Sequence, residues 1–166
     1  MSMIRFGLAG AGALAVVGTA SAALVGAEAV NAGDLGAGVN SFAIYLVFDN
    51  ELDQLLAVNG DSDVASLIFD STTPLVQNNL FEGTQSFDDV PSPADQGGDS
   101  WVVIGSPDTH NTAFSPNFLG GDGMESVIKG SYFEQLDNGG YFDQDPGSME
   151  TPDEQGRIQI AQFSLD

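Results

Sequence analysis

Residues 137–145, Asp137-Asn138-Gly139-Gly140-Tyr141-Phe142-Asp143-Gln144-Asp145, place three carboxylates and two side-chain amides around a glycine pair. Calcium takes about 6 to 8 oxygen ligands, and glycine lets a loop bend so that separated carboxylates converge. Asp143 and Asp145 point the same way in an extended chain, and Asp137 with Asn138 can fold back across the glycines. Asp137, Asn138, Asp143 and Asp145 are therefore the candidate calcium ligands. The segment is not an EF-hand, because counting from Asp143 puts Gly147 at the fifth position, where that loop needs an oxygen side chain. Asp49 to Asp53, and Asp61 with Asp63, offer the same chemistry on the same grounds. Tyr141, between the glycine pair and the acids, is expected to be exposed and is the candidate ligand residue, a flat ring against which a sugar can stack. Its alternative role is an anchor packed on the edge of a sheet.

Other constellations give less. Ser106, Asp108 and His110 include the only histidine, but three triad-type residues so close in one loop cannot easily form a Ser to His to Asp line, and a solvated turn is the expected reading. With no cysteine, disulfides, thiolate metal sites and cysteine nucleophiles are excluded. No phosphate loop, dinucleotide fingerprint or histidine-based zinc site is present. Paired carboxylates for glycoside hydrolysis leave no sequence signature, since their spacing is set by the fold.

The acids dominate the composition: 24 Asp and Glu against 3 Lys and Arg give a net charge of −21. Such a surface repels phosphate backbones and anionic membranes, so nucleic acid is not an expected partner. Salt or bound cations relieve the self-repulsion, and the charge also keeps a glycine-rich domain soluble. Hydrophobic residues make up 42 % of 166, enough for a single globular domain.

The elements that must carry these groups are short strands. Met1 to Phe6 with Arg5, the Gly/Ala/Leu/Val run that follows, and Ala20-Ser21-Ala22 have the three parts of a secretory signal peptide over residues 1–22. The mature chain then begins at Ala23, lacks a membrane-inserted segment, and keeps only Lys129 and Arg157 as fixed cations. Residues 23–40 hold no sustained apolar period and read as a linker, with the folded domain at 41–166. Ser41 to Phe48 has apolar residues on both faces and reads as an interior strand. Asp49-Asn50-Glu51 reads as a turn into a second strand, Asp53 to Val58, forming a hairpin that ends at Asn59-Gly60. Ala65 to Phe69 is a third run. Residues 82–99 and 106–122, rich in Pro, Gly and Asp, read as long loops around the strand Asp99 to Gly105, which holds the only tryptophan, Trp101, as a core residue. Met124 to Lys129 is a candidate helical turn and Ser131 to Leu136 a candidate strand, followed by loop at 137–156. Arg157 to Leu165 closes the chain as a strand whose apolar positions change parity, which requires a bulge near Ala161-Gln162. Short strands with no amphipathic helix of any length point to an all-β fold, an antiparallel β-sandwich of jelly-roll or immunoglobulin-like type with long Asp/Gly-rich loops.

Three stretches occur here in combination: Asp99-Ser100-Trp101-Val102-Val103-Ile104-Gly105, Lys129-Gly130-Ser131-Tyr132-Phe133, and Gly156-Arg157-Ile158-Gln159-Ile160-Ala161-Gln162-Phe163-Ser164. Together they resemble a group of secreted proteins from planctomycetes and other aquatic bacteria, whose pattern is a D-S-W-V-T-I-G strand, a G-S-W-F segment and a closing G-x-V-L-I-x-Q-F-T strand. Val103 replaces the common threonine and Tyr132 the common tryptophan, both compatible with strands. The resemblance, over residues 41–166, implies an exported β-rich domain and supplies no reaction. The expectation is thus a secreted or cell-surface structural or binding protein, not an enzyme, with calcium as its candidate ion. Extracellular polysaccharide or other surface proteins are its candidate partners. A carbohydrate-binding module and a carboxylate-dependent glycoside hydrolase are the alternatives.

Overall fold

A computed structural model describes residues 4–5, 24–34, 38–60, 67–71, 73, 76, 100–106, 112–115, 132–135, 139–144 and 150–165. These residues form strands and turns and no helix. In chain order the strands are β1 (Ile4–Arg5), β2 (Leu24–Asp34), β3 (Asn40–Phe48), β4 (Ala57–Gly60), β5 (Leu67–Ser71), β6 (Trp101–Val102), β7 (Thr112–Phe114), β8 (Tyr132–Gln135), β9 (Gly139–Asp143) and β10 (Arg157–Leu165). They make three antiparallel sheets, ordered β2-β3-β10-β6, β4-β9-β7 and β1-β5-β8.

The ladder β3–β10 is the spine, because β3 has a hydrogen-bonded neighbour on each side. Apolar residues on both its faces suit that interior place. β3 and β10 pair from Arg157 opposite Val47 to Leu165 opposite Asn40, with a register shift between Gln159 and Ala161. The bulge falls at Ile160, one residue before the expected pair. Its effect is the expected one, since Ile158, Ile160, Phe163 and Leu165 are all buried.

One face of this ladder packs Ile44, Leu46, Phe48, Ile158, Ala161 and Phe163 with Val102 and Ile104 of β6 and its continuation. Leu55 and Tyr141 join the same cluster, and Val58 packs against it, so the core links the β2-β3-β10-β6 and β4-β9-β7 sheets. Complete burial of a Leu or Ile side chain stabilises by roughly 1.5–3 kcal/mol, which makes this cluster a large source of stability among the described residues.

Several expectations need correction. Residues 24–34 are not linker: they pair along their length with β3, from Leu24 opposite Phe48 to Asp34 opposite Asn40. The period of two was hidden because β2 is an edge strand whose side chains are mostly exposed, so no face had to be apolar. β3 and the stretch after it do not form a hairpin, because both edges of β3 are already occupied; β4 pairs with β9 instead. Asn59-Gly60 is accordingly strand rather than turn, opposite Gly140 and Gly139. Among the described strands, Trp101 lies on an end strand of its sheet. Thr112–Phe114, inside the expected 106–122 loop, is a strand on β9. Residues 82–99 and 124–129 lie outside the described residues, as does most of the 1–22 segment; Ile4–Arg5 within it pairs with Asp70–Ser71.

Candidate functional site

The expected cation loop is partly a strand. Asp137, Asn138 and Asp145 lie outside the described residues, and Asp143 is the last residue of β9, buried at 9 % exposure. The glycine pair that suggested a flexible loop has another use. A Cβ on Gly140 would lie 2.1 Å from the Val58 carbonyl oxygen and 2.6 Å from the Asn59 Cα, so β4 and β9 approach too closely there for any side chain. Ser115 fastens the same point from β7, its Oγ accepting from the Gly140 N–H at 2.9 Å and its own N–H donating to the Gly140 carbonyl at 2.9 Å.

Tyr141 is not an exposed platform. Strand alternation turns it inward and Phe142 outward, leaving Tyr141 at 0 % exposure and Phe142 at 40 %. The Tyr141 hydroxyl donates to the Ile160 carbonyl at 2.9 Å, and the Val103 N–H donates to the same oxygen at 3.0 Å. The carbonyl of the bulge residue therefore receives one bond from β6's continuation and one from the facing sheet. Burial raises the Tyr141 pKa well above the ordinary phenol value, so the hydroxyl keeps the proton that makes this bond. Nor is it an anchor on the edge of a sheet: β9 is the middle strand of β4-β9-β7, and Tyr141 lies in the core.

Asp143 does have an acidic neighbour. Glu150 forms an isolated antiparallel bridge with Leu55, and the Leu55 N–H donates to its carbonyl at 3.3 Å. The Asp143 N–H donates to the Leu56 carbonyl at 2.9 Å, so the segment 55–56 holds both acids. The Glu150 carboxyl is raised above its ordinary pKa, first by burial and then by the charge of Asp143. Its side chain lies across Gly105, where an added Cβ would meet Glu150 Cδ at 2.1 Å. Gly105 also has φ of +86°, a backbone conformation that suits glycine. Thr112, opposite Asp143, accepts the Ile104 N–H at 3.0 Å and ties this corner to the core. Sequence reasoning missed Glu150: it stands alone between Met149 and Thr151, with no spacing that points to Asp143.

The other candidates separate. Asp53 is buried and its Oδ2 has no hydrogen-bond partner among the described residues, whereas Asp49 is exposed, so the 49–53 cluster does not turn to one side. Asp61, Asp63, Asp108 and His110 lie outside the described residues, and Ser106 is exposed. Among the described residues no three His, Asp or Glu side chains converge closely enough to hold a metal ion.

The opposite face of the β3–β10 ladder is polar. At one end Arg157 lies 4.5 Å above the Tyr45 ring, donates to Asp153 Oδ2 at 3.1 Å and reaches Glu28 at 3.7 Å. At the other, the Ser41 and Ser164 hydroxyls meet at 2.7 Å, and Ser100 Oγ accepts the Ser164 N–H at 3.0 Å, all three side chains being buried. Trp101 pairs with Gln162 on this face and is 1 % exposed, as expected of a core residue. Comparison with protein-family models, with curated proteins and with solved structures finds no match for this chain.

Proposed function

We propose that this chain is a secreted or cell-surface structural or binding protein, not an enzyme, whose β-sheet scaffold is stabilised by calcium. In this reading the β2-β3-β10-β6 and β4-β9-β7 sheets are the two layers of a sandwich of jelly-roll or immunoglobulin-like type, and the first 22 residues are an export signal. The similarity to exported β-rich proteins of aquatic bacteria fits the same picture. The partners it would serve are extracellular polysaccharide or other surface proteins.

The observation that carries the calcium reading is the Asp143–Glu150 pair in a chain of net charge −21. The charge of Asp143 adds to the burial that disfavours the ionised Glu150, and a hard cation bound between the two carboxylates relieves that repulsion. The sequence reading had already named Asp143; Glu150 supplies the second carboxylate. The polar side chains of the core support a structural role, since the Tyr141, Ser41, Ser100 and Ser164 hydroxyls hold strands to one another.

Thermal melting with calcium, with magnesium and after chelation tests this. Tm rises with millimolar calcium and returns on chelation if the pair binds the ion. Asp143→Asn with Glu150→Gln removes the calcium response while keeping the fold. A melting curve indifferent to calcium in the unmodified chain overturns the reading. Export is checked separately, by sequencing the amino terminus of the chain released from an expressing bacterium, expected at Ala23.

A further inference from the structure

We propose that the outer edge of β2 pairs with the β2 edge of a second copy of this chain, joining two four-stranded sheets into one continuous antiparallel sheet across a two-fold axis. β2 stands at one end of the order β2-β3-β10-β6, and among the described residues no strand pairs with its outer side. The opposite end of the sheet is β6, only two residues long, which gives an incoming strand little to bind. β2 runs for 11 residues. From Gly26 to Asn31 this edge presents its outward amides and carbonyls with no strand against them among the described residues, and the chemistry that matches it is another extended backbone.

Charge and symmetry both select a second copy. The chain carries −21, yet β2 holds only Glu28 and, at its end, Asp34. Glu28 reaches toward Arg157 on β10, at 3.7 Å, which turns its carboxylate away from the open edge and compensates it. Full antiparallel overlap of Leu24–Asp34 with itself centres the two-fold axis on Ala29. Glu28 then faces Val30, Ala27 faces Asn31 and Asp34 faces Leu24, so no acid opposes an acid. The irregularities in the β2–β3 register, at Leu24/Gly26 and Asn31/Gly33, flank this centre and leave Gly26 to Asn31 in unbroken pairing. The regular part of the edge is thus the part that the axis brings together.

Two copies of such charge repel at a distance, so the association strengthens with salt. The screening length falls from about 10 Å at 0.1 M to about 3 Å at 1 M. Sedimentation velocity of the full 166-residue chain over a range of concentration and salt is the test. A monomer–dimer equilibrium is expected, with more dimer at higher salt. Ala29→Pro and Val30→Pro then locate the interface. Successive residues of an edge strand present their N–H groups to opposite sides, so one proline removes a bond to β3 and lowers Tm. The other removes an outward donor, leaves Tm and circular dichroism of the monomer unchanged, and weakens dimerisation about tenfold or more. Residue-resolved hydrogen exchange of the unmodified chain reads the same edge without a substitution: alternate amides of 24–34 gain protection as concentration rises. A chain monomeric at every concentration and salt overturns the proposal, and so does a dimer in which those amides gain no protection.

Discussion

The β3–β10 ladder has two faces that solve burial by different means. One carries Ile44, Leu46, Phe48, Ile158 and Phe163 into an apolar cluster that Tyr141 joins with its hydroxyl bonded. The other carries Ser41, Ala43, Tyr45 and Val47 opposite Ser164, Gln162, Gln159 and Arg157, and it changes character along its length. At the serine end the polar groups are enclosed and paired to one another; at the arginine end they remain open to water and form ion pairs. One backbone register therefore holds together apolar packing, buried hydrogen bonds and surface electrostatics, which ought to differ in energy in that order.

Removing side chains tests the order directly. Ile44→Ala deletes a fully buried side chain from the apolar face, and a loss of about 2–5 kcal/mol is expected in denaturant unfolding. Ser41→Ala deletes the buried bond between the Ser41 and Ser164 hydroxyls at the enclosed polar end, with an expected loss of about 0.5–1.5 kcal/mol. Ser164→Ala and the double replacement Ser41→Ala with Ser164→Ala complete a double-mutant cycle, which measures the coupling between the two hydroxyls. If Ser41→Ala costs as much as Ile44→Ala, the contrast between the two faces fails.

Tyr141→Phe tests the link between sheets. The Ile160 carbonyl keeps its bond from the Val103 N–H, so only the net worth of one hydrogen bond is lost, about 0.5–1.5 kcal/mol. Crystal or solution structure of the variant should keep the bulge at Ile160, since the register shift follows from the parity change in Ile158, Ile160, Phe163 and Leu165 rather than from the tyrosine.

That parity change is why the spine was legible in the sequence. The alternation in Ser41 to Phe48 and in Arg157 to Leu165 is enforced by burial on both faces, and burial leaves an apolar record. The partners of β4 were not legible, because Asn59-Gly60 and Gly139-Gly140 are turn-forming residues used here to let two strands approach closely. β2 was missed for the opposite reason: an exposed edge imposes no pattern. The candidate site was half visible. Asp143 stood in an acid-rich run, whereas Glu150 reaches it only through the backbone bonds of Leu55 and Leu56.

The smallest effect is expected at the open end of the polar face, and its dependence on conditions distinguishes it from the others. Arg157→Ala removes the ring contact with Tyr45 and the ion pairs with Asp153 and Glu28, all at least partly exposed, and a loss of about 1 kcal/mol or less is expected, shrinking as salt is added. Asp153 supplies the pH signature. Burial would raise its carboxyl pKa, but bonds from the Arg157 backbone and side chain and from the Gln155 N–H outweigh it and hold the group below the usual carboxylate range. An acid whose folded pKa is depressed contributes stability that is present above its unfolded pKa and is lost as pH falls through the folded one. The difference between the unmodified chain and Arg157→Ala should therefore be constant near neutrality, begin to fade near pH 4 and vanish in stronger acid. The difference that Ile44→Ala makes, with no titrating group at the site, should stay level over the same range. Parallel fading of the two would mean that acid loosens the whole ladder rather than its charged end.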